Sequence, residues 1–181
     1  SKEENADFYL SEKDKKRLLE IARSTVQGYI LNKKVPGIDA ASLSENLTIQ
    51  AGAFVTLKKD GALRGCIGRF TATIPLYQVI QNMAVASATQ DYRFSPVQSS
   101  EVDRLEIEIS VLSPMKQIFD IRELELGRDG IYIKKGSAAG TFLPQVATET
   151  GWTKEEFLGH CARDKAGIGW DGWKDAELYT Y

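Results

Sequence analysis

The sequence predicts an α+β fold, in which helices flank a mixed, largely antiparallel sheet. Two observations carry this prediction. Helical patterns alternate irregularly with short strand patterns, unlike the regular order of a parallel βαβ array. At least two pairs of consecutive strands are joined by turns too short for a parallel crossover. The 181 residues, 43% of them apolar, suffice for one domain over 1–181 with a sizeable core and room for two lobes.

The first 70 residues contain one helix pattern and one hairpin pattern. Ser11 can cap the helix, and Glu12 and Asp14 suit the positive end of its dipole. Apolar residues at spacings of three and four give this helix one buried face. Asp60-Gly61 is typical of a tight turn between paired strands. The predicted elements are a helix over 11–32, a loop over 38–50, and strands over 53–57 and 62–70.

The rest of the chain contains two more helix patterns and three strand patterns. Thr73 can cap the second helix with Pro75 in its first turn, and Thr153 and Glu156 form a capping box for the third. Strict alternation of apolar and polar residues makes Leu105–Val111 the clearest strand. The predicted elements are a helix from Thr73 to position 89 or 90, a strand over 105–111, an irregular or helical connection over 115–126, strands over 130–134 and 140–143, a helix over 153–165, and an aromatic tail over 170–181 that packs on the core.

Composition narrows the functional classes. The net charge of −2 does not favour nucleic-acid binding. The chain has no run of about 18 apolar residues and no apolar signal region near its start, so we expect neither a membrane segment nor secretion. Two cysteines and one histidine are too few for a disulfide scaffold or a structural zinc site. We therefore expect a cytoplasmic protein with free thiols, no metal and no cofactor.

The segment Leu63–Gly68 has the most informative chemistry. Two glycines weaken a strand, and they are explained by a close backbone approach, a bulge or a bound group. Arg64 and Cys66 are two residues apart, which places them on one face of a regular strand. A cation near a thiol favours the reactive thiolate. The alternative is that Cys66 is a small buried apolar residue with no chemical role.

Other polar residues offer weaker candidates. Asp91 and Arg93 stand in a polar and aromatic loop that can bind a ligand, although a local ion pair explains them equally well. Gln145 follows a strand and a proline, where it either lines a polar cleft or bonds a turn. Cys161 falls on the apolar stripe of its helix, and nothing in the sequence places His160 beside Cys66.

Several of these blocks resemble the AMMECR family. Leu63–Gly68, the LRGCIG motif, is similar to the six-residue signature of that family, and Asp91–Pro96 is similar to its Asp-x-Arg-Phe-x-Pro block. The resemblance continues in order along nearly the whole chain, through Phe54–Leu57, Asp60-Gly61, Ile107–Ser113, Gly140–Ala147, Trp152–Phe157 and Lys165–Gly167. Asp129 stands where the family often has histidine, so no role of that histidine is carried over.

The resemblance implies an α+β fold with a larger lobe, a smaller lobe and a cleft near the signature. It also implies partners of the AmmeMemoRadiSam system, in which prokaryotic members often accompany a Memo-type protein and a radical-SAM protein. It supplies no established reaction. The site residues that it carries over are Arg64, Gly65, Cys66, Gly68, Asp91, Arg93, Gln145 and Lys165.

Two functions follow from these residues. The favoured one is an accessory protein that binds a partner or a small anionic or polar ligand in the cleft around Arg64 and Cys66. The alternative is an enzyme or enzyme component in which Cys66 is the nucleophile and Arg64 stabilises charge. Single-stranded nucleic acid is the least favoured ligand, since only Tyr92–Phe94 sets aromatic rings beside a basic residue in a loop.

Overall fold

The structure, a computed structural model, describes residues 8–181. The chain forms two compact units, one ending at Pro114 and the other spanning Met115–Tyr181. The first unit contains α1 (Glu12–Asn32), β1 (Ala53–Lys59), β2 (Ala62–Arg69), α2 (Leu76–Thr89) and β3 (Leu105–Val111). The second contains β4 (Lys116–Ile118), β5 (Ile131–Lys135), β6 (Ala138–Phe142), α3 (Pro144–Thr150), α4 (Lys154–His160) and β7 (Glu177–Thr180). Every strand pair is antiparallel, so the predicted α+β class is confirmed, with the strands divided between two sheets.

The N-terminal unit is a three-stranded sheet in the order β2-β1-β3, with α1 and α2 packed against it. Side chains on alternate positions of β1, including Val55 and Leu57, are fully buried against the helices. The strict alternation expected for β3 is confirmed, because Ile107 and Ile109 pack on the core while Glu106 and Glu108 are exposed. In an antiparallel sheet, this alternation places apolar side chains on the face toward the core and polar side chains on the face toward solvent.

The ends of α1 and α2 show where local signals suffice and where they do not. Ser11 and Asp14 form the expected capping box of α1. The predicted cap of α2 at Thr73 is wrong, because Pro75 is the capping residue and the carbonyl oxygen of Ile49 accepts the first helical N–H at 2.7 Å. A carbonyl from a distant loop therefore replaces the side-chain cap. Within residues 8–181, no helix has both the length and the apolar composition needed to cross a membrane.

The C-terminal unit is a four-stranded sheet in the order β4-β7-β5-β6. Its core contains Ile131 and Ile133 of β5, with Phe157 and Leu158 of α4. The helix predicted over 153–165 is confirmed as far as His160, and the chain then continues as a wider π-helical segment, Cys161–Lys165. Thr153 and Glu156 form the predicted capping box.

Three predictions for the C-terminal unit need correction. The connection over 115–126 contains β4 as well as a short 3₁₀ turn, and Pro144 starts α3 instead of only ending a strand. The aromatic tail packs on the core as expected, but Glu177–Thr180 of the tail is also an interior strand, paired with both β4 and β5. Strands of three or four residues are too short to show a period in sequence, so long-range pairing alone reveals them.

Candidate functional site

The candidate site is built on the β1–β2 hairpin. Asp60 and Gly61 both have positive φ, which is the conformation of a type I′ turn, so the predicted turn is confirmed. Leu57 pairs with Gly65 but the next residue, Lys58, pairs with Leu63. Arg64 is therefore the extra residue of a β-bulge, and the regular alternation that would place it on the same face as Cys66 is broken there.

Arg64 is held in an internal ion-pair network. Its Nε and Nη2 donate to the two carboxylate oxygens of Glu101 at 3.0 and 3.1 Å, and its Nη1 donates to the carbonyl oxygen of Ser95 at 2.8 Å. Lys59 donates to the same carboxylate. Hydrogen bonds from Arg64 and then Lys59 hold the pKa of Glu101 well below its ordinary value. Since only 12% of the Arg64 side chain is exposed, its charge is mostly satisfied inside the protein.

Cys66 is half-buried and is held from two sides. Its Sγ lies 3.1 Å from Oγ1 of Thr56, the residue opposite on β1. Its backbone N–H, on the edge strand β2, donates to Oδ2 of Asp91 at 2.9 Å. In the N-terminal unit, no histidine is available as a base for the thiol, because the only histidine of the chain is His160.

Asp91 and Arg93 form the second ion pair of the site. The Asp91 carboxylate is buried and accepts hydrogen bonds from Nε and Nη2 of Arg93 at 3.0 and 2.7 Å. Arg93, and then the Cys66 N–H, hold the pKa of Asp91 well below its ordinary value. The hydrogen bond to Asp91 raises the pKa of Arg93 in turn. Because Oδ2 of Asp91 accepts from both the Cys66 N–H and Nη2 of Arg93, the guanidinium lies near the backbone of Cys66.

The loop around Arg93 presents an exposed surface. The Arg93 side chain is 45% exposed and lies 5.5 Å from the ring centre of Phe94, in a cation–π contact. Tyr92 is 96% exposed. We call the surface formed by Tyr92, Arg93 and Phe94 the Arg93 surface. Asp91 anchors it, because its carboxylate binds both the loop and the edge strand.

Packing explains both glycines of the signature. A Cβ at Gly65 would lie 2.1 Å from the carbonyl oxygen of Ser87 on α2, and a Cβ at Gly68 would lie 2.3 Å from the ring of Phe54. The Ser87 hydroxyl donates to the carbonyl of Val55 at 2.7 Å and accepts the N–H of Ile67 at 2.9 Å, so α2 is bonded directly between β1 and β2. The sequence offered three explanations for these glycines: a close backbone approach, a bulge or a bound group. The structure shows the close approach and the bulge.

Comparison with known proteins identifies the family. The AMMECR1 family model matches residues 19–181, which is nearly the whole chain. The chain belongs to the AMMECR1 family. This AMMECR1-family chain is 38% identical over 175 residues to protein MK0488 of Methanopyrus kandleri, covering 91% of this chain and 83% of that protein. It is also 38% identical over 176 residues to protein TK0174 of Thermococcus kodakarensis, covering 91% and 84%.

A solved structure shares the fold. The crystal structure of the uncharacterised protein PH0010 from Pyrococcus horikoshii matches with a TM-score of 0.71 and 36% identity, covering 94% of this chain and 89% of that one.

The remaining site candidates of this AMMECR1-family chain belong to the C-terminal unit. Gln145 is exposed in the first turn of α3, and Lys165 is exposed at the end of the π-helical segment, with Nζ 5.9 Å from the ring centre of Phe142. His160 stacks on Trp152 at a centroid distance of 3.9 Å and contacts Asp164. The N-terminal candidates Arg64, Gly65, Cys66, Gly68, Asp91 and Arg93 lie together on β2 and its adjoining loop.

Sequence reasoning missed three residues that shape the site. Glu101 neutralises Arg64, Thr56 contacts the thiol, and Ser87 joins α2 to the hairpin. A signal existed for Ser87, because a hydroxyl in the apolar stripe of a helix needs a buried partner. For Glu101 the signal is its own capping box with Gln98, which begins the 3₁₀ turn before β3.

The two thiols of this AMMECR1-family chain are expected to differ in reactivity. Cys161 is fully buried, and burial raises its pKa to about 12, whereas Cys66 is half-buried. Iodoacetamide at neutral pH should modify Cys66 in the folded protein and Cys161 only after unfolding, since the thiolate is the reactive form. Peptide mass spectrometry measures both sites in one sample. Equal modification of the two cysteines in the folded state would contradict this expectation.

Proposed function

We propose that this chain is a non-catalytic accessory protein that binds a partner, or a small anionic or polar ligand, through the Arg93 surface. The observation that carries the proposal is the half-exposed guanidinium of Arg93, held in place by the buried Asp91 carboxylate. A guanidinium has five N–H donors, and Asp91 accepts from the Nε–H and from one N–H of Nη2. Because the side chain is 45% exposed, the other donors are available to a carboxylate or phosphate of a partner.

The contrast with Arg64 supports this assignment. Arg64 bonds through all three of its nitrogens to Glu101 and Ser95, so binding an external anion would require breaking an existing pair. Arg93 needs no such change, because its pairing with Asp91 orients it and leaves it accessible. Preorganised cations lose less entropy on binding than mobile ones. Arg64 thus supports the loop through Ser95, while Arg93 contacts the ligand.

The partners in this proposal are the Memo-type and radical-SAM proteins implied by the family. Tyr92 supports a protein partner in particular, because an almost fully exposed tyrosine beside an arginine is the composition of an interface hot spot. The proposal includes a cytoplasmic location, which agrees with two cysteines that are not paired with each other.

Binding to purified Memo-type and radical-SAM proteins tests the proposal by calorimetry. Arg93→Gln and Tyr92→Ala are each expected to weaken binding by about tenfold or more, as loss of a hot-spot side chain does. Arg122→Gln is the matched control, since Arg122 also bonds an aspartate two residues earlier, Asp120, through Nε and Nη2, and belongs to the C-terminal unit. Tyr92→Ala leaves the Asp91–Arg93 pair intact and therefore separates lost binding from lost folding.

Two results would contradict the proposal. One is binding by both Arg93→Gln and Tyr92→Ala that equals the wild-type protein, and the other is an equal loss in Arg122→Gln. Absence of any binding by the wild-type chain to either protein would exclude those partners.

An enzymatic role for Cys66 is the second candidate, and one observation favours it. The Cys66 Sγ lies 3.1 Å from the Thr56 hydroxyl, and Asp91 joins the Cys66 backbone to Arg93, so the thiol has a hydroxyl and a guanidinium in its surroundings. Cys66→Ser and Cys66→Ala distinguish the two functions. If the chain is an accessory protein, both variants should fold and keep partner binding. If Cys66 is a catalytic nucleophile, both variants should lose the activity.

A further inference from the structure

A second candidate site lies in the N-terminal unit, on the first half of α1. A groove of about 590 Å³ runs between this part of α1 and the connection that leads to β1. We call it the α1 groove, and its lining includes Lys13, Lys16 and Arg17 from the helix and Ser42, Leu43 and Leu47 from the connection. Its volume lies in the range of small-molecule sites, which is about 300–1,000 Å³.

The helix side of the α1 groove carries a group of cations with few partners. Lys13, Lys16 and Arg17 follow the i, i+3, i+4 spacing, so they share one face of α1. Within residues 8–181, neither Lys13 nor Lys16 has an acidic side chain within ion-pair distance, and Arg17 has only Glu20 at 3.7 Å. Like charges at this spacing repel each other, so a bound anion would relieve an existing repulsion.

Two acidic residues, Asp14 and Glu20, line the α1 groove, and neither pairs with Lys13 or Lys16, since Glu20 pairs with Arg17. Asp14 is buried, and its carboxylate accepts the Ser44 hydroxyl at 2.6 Å and the Ser11 N–H at 3.2 Å. The hydrogen bond from Ser44 is the main cause that lowers the pKa of Asp14. Its charge is therefore used to cap α1 and to hold the connection in place, which gives the groove a fixed wall.

The opposite side of the α1 groove combines hydroxyl and apolar groups. The Ser42 hydroxyl donates to the backbone carbonyl of Asp39, so this side contributes mainly apolar surface, from the half-buried Leu43 and the buried Leu47. Cations on one wall and leucines on the other fit a ligand with an anionic head and an apolar body. A phosphate monoester suits the two lysines without acidic partners better than a carboxylate does, because it carries more charge and more acceptor oxygens.

We propose that the α1 groove binds a small phosphate monoester with an apolar substituent. The site is independent of the Arg93 surface, since the two share no residue. Its expected role is to bind a phosphorylated small molecule while the Arg93 surface contacts a partner.

Titration with phenyl phosphate, followed by backbone amide NMR of the full chain, tests the proposal. Amide shifts are expected at Ser42, Leu43 and Leu47, and inorganic phosphate and phenol, each lacking half of the ligand, should bind about tenfold more weakly or less. The double variant Lys13→Gln, Lys16→Gln should weaken phenyl phosphate binding by about tenfold or more, since two charge-assisted contacts are lost. Lys15→Gln is the control, because Lys15 lies outside the α1 groove and pairs with Glu12.

Three outcomes would overturn the proposal. These are no shift at the groove amides, an equal loss in Lys15→Gln, and benzoate binding that matches phenyl phosphate. Co-sedimentation with phosphatidic-acid vesicles, lost in the double variant, would identify a lipid headgroup as the source of the ester, and its absence would indicate a soluble ester. The glutamine variants change exposed side chains only, so their folding is not at risk.

Discussion

Replacing Gly65 with alanine is expected to destabilise the protein by about 3 kcal/mol or more, which is the upper range for overpacking a core. The new Cβ would lie 2.1 Å from the carbonyl oxygen of Ser87, a contact with backbone that no side-chain rotation relieves. Helix α2 cannot move away without breaking the two hydrogen bonds that the Ser87 hydroxyl makes with Val55 and Ile67. The cost therefore falls on the packing of α2 against the hairpin that carries Cys66.

Urea denaturation measures this effect, with Gly37→Ala as the matched control. Gly37 has open space around its Cβ position and no positive φ, so its replacement should leave stability unchanged or raise it slightly. An unfolding midpoint for Gly65→Ala equal to that of Gly37→Ala would show that the helix and the hairpin can separate freely. That result would remove the close approach as the reason for glycine at this position.

Replacing Glu101 with glutamine is expected to destabilise the protein by about 2 kcal/mol, the scale of hydrogen bonds to charged groups. Glu101 and Arg64 are 14% and 12% exposed, so the guanidinium would lose its counter-charge in a mostly buried place. The amide nitrogen of glutamine would also face the donors of Arg64 or the N–H of Gln98, which now donates to Glu101 at 2.8 Å. The loop that carries Arg93 would lose part of its support.

The same pair predicts a dependence of stability on pH. The pKa of Glu101 is lower in the folded protein than its ordinary value of 4.5, so its contribution is complete above that pH and is lost as the pH falls below it. Folded stability measured in urea should therefore differ most between wild-type protein and Glu101→Gln at neutral pH. The difference should shrink as the pH drops below 4.5.

Glu108→Gln provides the control for the Glu101 prediction. Glu108 pairs with Lys58 at 2.9 Å, but its side chain is 59% exposed, and exposed ion pairs contribute little. The control should change stability by less than about 1 kcal/mol. A loss in Glu101→Gln no larger than this, or one that persists unchanged in acid, would contradict a buried role for the Arg64–Glu101 pair.

Elements with long, regular patterns could be predicted from sequence. The helix after Ser11, the turn at Asp60-Gly61 and the strand Leu105–Val111 all appear where they were expected. Each is specified by a repeat or a cap that lies within the element itself. The grouping of Cys66, Asp91 and Arg93 was only partly predictable, because no local pattern shows that the loop returns to the edge of β2.

The charges and glycines of the signature show the limit of local reasoning most clearly. An arginine two residues from a cysteine predicts that the two side chains share one face of a strand. The bulge at Arg64 interrupts that alternation, and the guanidinium instead pairs with Glu101, 37 residues later. Whether a glycine faces a ligand or a helix backbone also depends on a segment far along the chain.

Local order along the chain was enough to establish the α+β class, the family resemblance and the main helices and strands, because periodicity and capping act between near neighbours. Contacts between distant segments decided the rest: β7 lies inside its sheet, Ser87 requires glycine at position 65, and Arg93 is more exposed than Arg64. Whether a side chain is buried and which charge it pairs with depend on tertiary contacts, and these contacts exist only in the folded chain.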